Sequence, residues 1–347
     1  MSHAVSGCDD QFFVYGLCRV TEAAARAASG MIGRGHRNQP NRTAIEAMRR
    51  ELEKLALSGR VVIGEQGGDD DDQTWGLPSG LELNGDGNGS TRFDIVADPI
   101  EGTSYLARGM TNAMAVMALA PEGSLFDAGP AFYMEKFAAP ALARGKIDPA
   151  APTQVKLGQL SSVLNKPVSE LTVFVLEKPR HRELVNQIHN AGARVALYPA
   201  GDVAGALMAA LPDAGNAGGN AGGIDALMGT GGTREGMLSA IAIRALGGEM
   251  TMRIDPQLTT EKAAVAKAGM DTKSWIELND LVTSDNVHFT ATGITTGLLF
   301  EGVEREGHCE RTQSLLISGP KAKGDGGRRQ LLTTWHDVND QNHDERA

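Results

Sequence analysis

Hydrophobic residues recur along the chain with two different periods, and these predict its helices and strands. In the segment 41–57, apolar residues return every three or four positions, which places them on one face of a helix. These residues are Ile45, Met48, Leu52 and Leu55. The runs 60–64 and 93–97 are short and rich in β-branched residues, as strands are. Both runs lead directly into carboxylates, so they predict strands that carry acids at their ends.

The second half of the chain contains the pattern of a strand, a helix and a second strand. The run LTVFVLEK ends at Pro179, a helical segment around ELVNQIHN stops near Gly192, and ARVALYP has the composition of the next strand. Strand-length runs alternate with helical segments along most of the sequence. We therefore expect an α/β fold, an α+β arrangement of alternating helix and sheet layers.

Stretches rich in glycine and polar residues divide these elements. The segments 76–90 and 213–223 are predicted surface loops, as is 321–327, and the sequence contains no convincing internal repeat. From these boundaries we predict an N-terminal extension over 1–19 and two halves of one unit over 20–175 and 176–318. A flexible C-terminal segment is expected over 319–347.

Composition excludes several classes of protein. A net charge of -10 argues against nucleic acid as the main partner, because binding a phosphate backbone needs clustered Lys and Arg. No apolar run approaches the roughly 20 residues that cross a bilayer, so we expect no membrane association and a cytoplasmic location. The 3 cysteines are too few and too scattered for a disulfide framework or a thiolate zinc site.

The strongest candidate for chemistry is the segment DIVADPIEGT, residues 94–103. Its apolar strand is expected to break at Pro99 and to present Asp98, Glu101 and Thr103 in one turn. Two close carboxylates suit a hard divalent ion such as Mg²⁺, with substrate phosphate completing its shell, and the Thr103 hydroxyl would orient the attacking water. The alternative is a polar turn whose acids cap a helix.

The motif DPIEGT resembles the D-P-(I/L)-(E/D)-G-T signature of the lithium-sensitive, metal-dependent phosphatase superfamily. Further segments between residues 20 and 318 resemble, in order and approximate spacing, those of class II fructose-1,6-bisphosphatases. These segments are FYMEK, LTVFVLEKPRH, GARV, EGMLSAIAIRALGG, SDNVHFTATGIT and RTQSLLIS. The resemblance implies the sugar-phosphatase fold of that family, but a fold alone does not settle a function.

The resemblance also implies roles for individual residues. The implied metal ligands are Asn41, Glu65, Asp98, Glu101 and Glu235, which would hold Mg²⁺ or Mn²⁺. The implied substrate-binding residues are Glu101, Gly102, Thr103, Tyr133, Lys178, Pro179, Arg180, Gly201, Asp202 and Gly232. The implied catalytic residues are Thr103, Asp69 and Arg37. Taken alone, Lys178 and Arg180 could equally be surface charges, and Tyr133 a core aromatic.

Several positions depart from the family pattern. Where the family reads D-K-N-x-A-D, this chain has HRNQPN, so Arg37 replaces a Lys and Asn41 replaces a ligand Asp. Asn41 precedes the predicted helix, which makes an N-cap an equal alternative to a ligand.

Departures also occur in three other segments of the implied site. After Glu65, the family's second acid is replaced by Gly67, and the acidic run that follows aligns Asp69 with a family Asp only to within a residue. Ala200 replaces the first Asp of D-G-D, and Arg234 replaces a Pro beside Glu235. Each change alters either the charge or the ligands of the implied site.

Three functional hypotheses follow from these residues. The first is hydrolysis of the 1-phosphate of fructose 1,6-bisphosphate, and in some family members of sedoheptulose 1,7-bisphosphate, by in-line attack of a water activated by divalent ions. The second is a catalytically impaired paralogue that binds sugar phosphate or pairs with an active subunit. The third is a phosphatase for another small ester, such as an inositol phosphate. Family members form dimers and tetramers, so a homo-oligomer is expected.

Overall fold

The computed structural model describes residues 6–55, 57–63, 77–85, 91–211, 223–320 and 327–338. The helices are α1 (Ser6–Ser29), α2 (Asn38–Lys54), α3 (Thr103–Arg108), α4 (Thr153–Leu164), α5 (Arg182–Asn190), α6 (Asp202–Ala210), α7 (Thr233–Leu246), α8 (Thr259–Lys267) and α9 (Leu278–Leu281). Short 3₁₀ helices are η1 (Ala141–Ala143), η2 (Val168–Glu170) and η3 (Pro179–His181). Together with the strands, these helices confirm the predicted α/β fold.

The strands form two mixed sheets. They are β1 (Gly59–Ile63), β2 (Glu82–Leu83), β3 (Phe93–Glu101), β4 (Met114–Pro121), β5 (Tyr133–Ala139), β6 (Thr172–Leu176), β7 (Arg194–Tyr198), β8 (Ala226–Gly232), β9 (Glu249–Ile254), β10 (Ile276–Glu277), β11 (His288–Gly293), β12 (Glu304–Glu306), β13 (Cys309–Ser318) and β14 (Arg328–Asp337).

Tertiary contacts divide the chain into two compact units. The first contains Met1–Leu119, His288–Ile317 and Arg329–Ala347, and the second contains Ala120–Val287 and Ser318–Arg328. This division differs from the predicted one, which placed a boundary between residues 175 and 176 on the basis of the sequence motifs. Local patterns do not show that the chain leaves the first sheet after β4 and returns to it with β11.

The first unit is built on an eight-stranded sheet with the order β12-β13-β11-β4-β3-β1-β2, in which β14 also pairs with β13. Strands β1 and β3 are parallel, whereas β11 and β4 are antiparallel. Helices α1 and α2 pack on each other, and both contact β3. Every residue of β3 is buried. The sheet therefore carries the acids of β3 in its interior.

Helix α2 and strand β3 each differ in extent from the sequence-based prediction. The predicted helix exists, but it begins at Asn38, and Met48 and Leu52 form its buried stripe while Ile45 is half-buried. The predicted break at Pro99 is wrong, because β3 continues to Glu101. Within the described residues, the pairing of β3 with β1 extends to Val96 and does not include Pro99.

The second unit is built on a six-stranded sheet with the order β10-β9-β5-β8-β6-β7. The predicted strand-helix-strand unit is confirmed, since β6 and β7 are parallel neighbours connected through α5. A cluster of buried side chains on one side of this sheet includes Phe137, Leu157, Val173 and Ile188. Strand β5 lies between β8 and β9, pairing antiparallel with both.

Part of the predicted C-terminal segment forms a strand. Residues 328–337 lie within the segment predicted to be flexible, yet they form β14. The hydroxyl of Thr334 donates to the buried Glu22 carboxylate at 2.8 Å, and the Thr312 hydroxyl lies 2.9 Å from Nε2 of His336. These bonds come from α1 and β13, which are distant in sequence, so the local composition could not reveal them.

The structure describes parts of two predicted loops. The predicted loop 76–90 carries the short strand β2 and the buried residue Leu77. Most of the loop 213–223 lies outside the described residues. Among the helices described, none combines the length and the apolar character needed to cross a bilayer.

Candidate active site

The turn from β3 into α3 places two buried acids next to a hydroxyl. Asp98 and Glu101 are 3% and 5% exposed, although carboxylates are seldom buried. One oxygen of Asp98 accepts a hydrogen bond from the amide of Ile100 at 3.1 Å, and the Thr103 hydroxyl donates to the Ile100 carbonyl at 3.0 Å. These bonds fix the turn and keep the Asp98 carboxylate beside the start of α3.

Gly102 is required by the geometry of this turn. Its φ of 84° lies in the left-handed region, which side chains disfavour. A Cβ built on Gly102 would also lie 2.7 Å from Cδ2 of Tyr105, closer than such atoms approach. Glycine therefore lets β3 pass directly into α3 while Glu101 and Thr103 stay on either side of the bend.

Asp98 and Glu101 fit a divalent cation. They offer carboxylate oxygens within 4.8 Å of one another. Two buried negative charges at this separation repel each other and lose hydration, so a cation between them would stabilise both. Carboxylate oxygens are the ligands that Mg²⁺ and Mn²⁺ prefer. The capping alternative receives no support at α3, whose N-cap is Gly102 and has no side-chain cap bond.

Asn41 is buried in a way that an N-cap residue would not be. Helix α2 begins at Asn38 and its N-cap is Arg37, so the alternative of Asn41 as the N-cap is wrong. Asn41 is 1% exposed, and within the described residues neither its Oδ1 nor its Nδ2 has a hydrogen-bond partner. A buried amide left in that state costs about 1–3 kcal/mol. A ligand that binds its oxygen would remove part of this cost.

In the first unit, the structure describes only one of the remaining residues predicted for the metal and catalytic group. Arg37 is exposed at the start of α2. Glu65, Gly67 and Asp69 lie outside the described residues, so their assignments stay predictions.

In the second unit, Arg180 and Tyr133 contact each other. The guanidinium of Arg180 lies 5.0 Å from the centre of the Tyr133 ring. Its Nε and Nη2 donate to the Thr230 carbonyl at 3.0 Å and 2.8 Å. Arg180 is thus held by β8 and by the first residue of β5, rather than extending freely into solvent. Tyr133 is half-buried and is not a core aromatic.

His181 fixes the segment that carries Lys178, Pro179 and Arg180, and the sequence analysis did not identify it. The ring is 4% exposed, and its Nε2 accepts from the amide of Thr230 at 2.8 Å. Because Nε2 accepts a bond, the proton of the neutral ring is on Nδ1, which lies 2.7 Å from the Leu176 carbonyl. Burial lowers the pKa of His181, which favours this neutral form.

Asp202 and its predicted neighbour Gly201 lie where α6 begins. Gly201 has a φ of 88° and is the N-cap, and Asp202 is the first residue of the helix and is 6% exposed. The Asp202 carboxylate accepts a hydrogen bond from the ammonium of Lys136, a buried residue of β5. Lys136 is a second residue that the sequence analysis did not single out.

Glu235 lies in the first turn of α7, close to Gly232. A Cβ on Gly232 would lie 1.9 Å from Oε2 of Glu235, so only glycine leaves room for that carboxylate. Arg234 is 3.5 Å from the other oxygen of Glu235. Burial by itself raises the pKa of Glu235, but the positive charges of Arg234 and Lys136 outweigh it and lower the pKa. Glu235 is therefore ionised and available as a ligand.

Comparisons with known proteins give a consistent result. A sequence model described as bacterial fructose-1,6-bisphosphatase, glpX-encoded, matches residues 12–324. The class 2 fructose-1,6-bisphosphatase of Haemophilus influenzae is 40% identical over 314 residues, which cover 87% of this chain and 90% of that protein. Fructose-1,6-bisphosphatase 1 class 2 of Escherichia coli K12 is 39% identical over 314 residues, covering 87% and 89%.

Among solved structures, the extragenic suppressor protein suhB from Bartonella henselae matches with a TM-score of 0.30 and 12% identity, over 54% of this chain and 67% of that one. A likeness this weak supports no conclusion. The family assignment rests instead on the sequence match across most of the chain and on relatives with about 40% identity. The chain belongs to the family of bacterial, glpX-encoded fructose-1,6-bisphosphatases, the class 2 enzymes.

Proposed function

We propose that this protein hydrolyses the 1-phosphate of fructose 1,6-bisphosphate, giving fructose 6-phosphate and inorganic phosphate. The observation that carries the proposal is the buried pair of carboxylates, Asp98 and Glu101, within the DPIEGT turn. The curated relatives, named as class 2 fructose-1,6-bisphosphatases, support the choice of substrate. Sedoheptulose 1,7-bisphosphate is proposed as a second substrate because some family members accept it.

The proposed cofactor is a divalent cation, Mg²⁺ or Mn²⁺. Asp98 and Glu101 would bind it, with Asn41, Glu65 and Glu235 as the further ligands that the family resemblance implies. When bound, such an ion neutralises phosphate oxygens and makes water more acidic. Two observations support the inclusion of Asn41 and Glu235: the Asn41 amide has no hydrogen-bond partner among the described residues, and neighbouring positive charges lower the pKa of Glu235.

Thr103 is proposed to orient the attacking water. Because its hydroxyl hydrogen is donated to the Ile100 carbonyl, the lone pairs of its oxygen are left to accept a hydrogen bond from that water. The water oxygen forms a bond to phosphorus as the bond from phosphorus to the sugar oxygen breaks, and the sugar oxygen gains, overall, the proton that the water loses. The family resemblance gives Asp69 and Arg37 supporting catalytic roles.

Lys178 and Arg180 are proposed to bind the distal phosphate, and Pro179 between them is a further substrate-binding residue that the family resemblance implies. Two donors of Arg180 bond the Thr230 carbonyl, and the guanidinium has further donors for a phosphate. Tyr133 supports the guanidinium from its other side. Asp202 would accept a hydrogen bond from a sugar hydroxyl, and the family resemblance assigns Gly102, Gly201 and Gly232 to substrate binding as well.

The test is phosphate release from fructose 1,6-bisphosphate by purified protein, with Mg²⁺ or Mn²⁺ titrated into the millimolar range. We expect metal-dependent release that Glu101→Gln lowers at least about a hundredfold, because the variant removes a charged ligand. Glu82→Gln is the matched control, since Glu82 is an exposed residue paired with Arg92. Equal activity of the Glu101→Gln variant and the parent would show that the pair is not the site.

A panel of substrates separates this proposal from a phosphatase for another ester. We expect fructose 1,6-bisphosphate to exceed inositol monophosphate in kcat/KM. Preference for the inositol ester would support the third hypothesis of the sequence analysis.

The catalytically impaired paralogue is the second candidate, and the charge of the proposed metal set is the observation that favours it. Asn41 removes one negative charge relative to the family, and Arg234 places a positive charge 3.5 Å from Glu235. Relative to the family pattern, Gly67 also replaces an acid, and Ala200 removes an expected contact with the sugar. A folded protein that binds fructose 6-phosphate but releases no phosphate at any metal concentration would establish this candidate.

Location and assembly complete the proposal. Charged sugar bisphosphates are cytoplasmic metabolites, so we place the enzyme in the cytoplasm. Family members assemble as dimers or tetramers, and we propose a homo-oligomer, which light scattering after gel filtration would measure.

A further inference from the structure

We propose that Lys136 is a positioning residue that holds Asp202 in place for the sugar, an inference that rests on the proposed function. Lys136 lies in the middle of β5, opposite Gly229 of β8 and Met252 of β9. It is 3% exposed, and its ammonium donates a hydrogen bond to Oδ2 of Asp202. Because β5 pairs with a neighbouring strand on each side, the backbone of Lys136 is held in place.

The glycines around this ion pair show how closely it is packed. A Cβ on Gly231 would lie 2.2 Å from Oδ2 of Asp202 and 2.9 Å from Nζ of Lys136. A Cβ on Gly236 would lie 3.0 Å from Cε of Lys136. The pair therefore lies directly against the backbone on both sides of Gly232 and Glu235. It thus packs beside two residues already assigned to substrate or metal.

Stability alone is a weak reason for such a pair. Removing two charges from water costs several kcal/mol per ion, and apolar replacements of buried ion pairs are often neutral or stabilising. The same unit contains another buried lysine for comparison. Lys156 is 6% exposed, but its ammonium donates to the Pro149 carbonyl at 3.0 Å and lies 5.2 Å from the centre of the Trp275 ring. Lys156 thus contacts neutral groups, whereas Lys136 binds a proposed sugar ligand.

The hydrogen bond from Lys136 decides what Asp202 can do. With Oδ2 engaged by the ammonium, the carboxylate is held in one orientation, and Oδ1 is the oxygen that would accept a hydrogen bond from a sugar hydroxyl. Lys136 itself does not touch the substrate in this arrangement. Its loss would leave Asp202 free to rotate, which weakens sugar binding more than it changes the phosphate chemistry.

The experiment compares Lys136→Met with Lys156→Met in steady-state kinetics. We expect Lys136→Met to raise KM for fructose 1,6-bisphosphate about tenfold, with a smaller change in kcat at saturating metal. The matched control, Lys156→Met, is expected to keep the parent KM. Lys136→Gln can still donate to Asp202, so it should give an intermediate KM and serves if the methionine variant does not fold.

A double-mutant cycle with Asp202→Asn separates positioning from a general structural effect. If Lys136 acts through Asp202, Lys136→Met raises KM little further when Asp202→Asn is already present. Independent, multiplying effects of the two changes would overturn the inference, as would a parent-like KM for the folded Lys136 variants. A parent protein without turnover would instead contradict the proposed function, and the two failures are therefore distinct.

Discussion

Asn41 and Arg234 make the proposed metal set less negative than the family pattern, and both changes act through single side chains. The buried amide of Asn41 retains an oxygen that can bind a cation but lacks the charge of Asp. Arg234 already lies 3.5 Å from one oxygen of Glu235. A divalent ion must therefore bind with less electrostatic attraction, so millimolar metal is the expected requirement.

Asn41→Asp should increase the affinity for Mn²⁺ about tenfold, because it adds one negative charge at a buried position. Direct titration calorimetry of Mn²⁺ measures this without relying on turnover. Asn38→Asp adds the same charge to the first, exposed residue of α2 and is the control. Equal Mn²⁺ affinity of the Asn41 variant and the parent would remove Asn41 from the ligand set.

Sequence analysis could predict residues within one motif, but not the buried partners of those residues. Asp98, Glu101 and Thr103 share a turn, so their proximity follows from spacing alone. His181 binds Thr230, and Lys136 binds Asp202, across 49 and 66 positions of sequence. Their side chains meet only because β5, β6 and β8 belong to one sheet. No local pattern contains that pairing.

At the level of elements, periodicity predicted α2 and the β6–α5–β7 unit because their apolar stripes are local. The ends of elements were less predictable. Helix α2 starts at Asn38 without a side-chain cap bond that would mark its beginning in the sequence, and β3 continues through Pro99 to Glu101. Strand β14 is mostly exposed, and its anchoring bonds reach α1 and β13, so its own sequence did not predict it.

The attachment of β14 predicts a dependence of stability on pH. Burial, reinforced by the positive charge of Arg26, lowers the pKa of His336 to about 4. The unfolded chain binds this proton below about pH 6.5, whereas the folded protein binds it only below about pH 4. Stability from this residue is therefore complete above about pH 6.5 and is lost as the pH falls toward 4.

We expect His336→Gln to flatten the decrease in thermal midpoint between pH 6.5 and pH 4.5, because glutamine takes up no proton in this window. His308→Gln, at an exposed position between β12 and β13, is the control and should keep the parent slope. A His336→Gln variant whose midpoint falls as steeply as that of the parent would contradict the account of β14.

For the whole molecule, the family assignment and the layered α/β fold agree with the sugar-phosphatase fold expected from sequence. The division into two units did not follow from motif order, because 120–287 is inserted between two parts of the first unit. The chain returns to the first sheet when β11 pairs with β4. Only the three-dimensional structure reveals that pairing.

A cation that binds the folded chain should stabilise it as a whole. At a hundredfold excess over the dissociation constant, Mn²⁺ contributes about 2.7 kcal/mol to the free energy of unfolding. The thermal midpoint should therefore rise with Mn²⁺ in the parent, rise much less in Glu101→Gln, and rise as in the parent for Glu82→Gln. An equal rise in all three proteins would place the bound cation elsewhere.

The most direct test of the central claim is phosphorus NMR of fructose 1,6-bisphosphate incubated with the protein and Mn²⁺. The account predicts that the signal of the 1-phosphate disappears while the 6-phosphate remains and inorganic phosphate appears, and that Glu101→Gln prevents this change. An unchanged spectrum with folded protein across the millimolar range of Mn²⁺, or loss of the 6-phosphate instead, would contradict it.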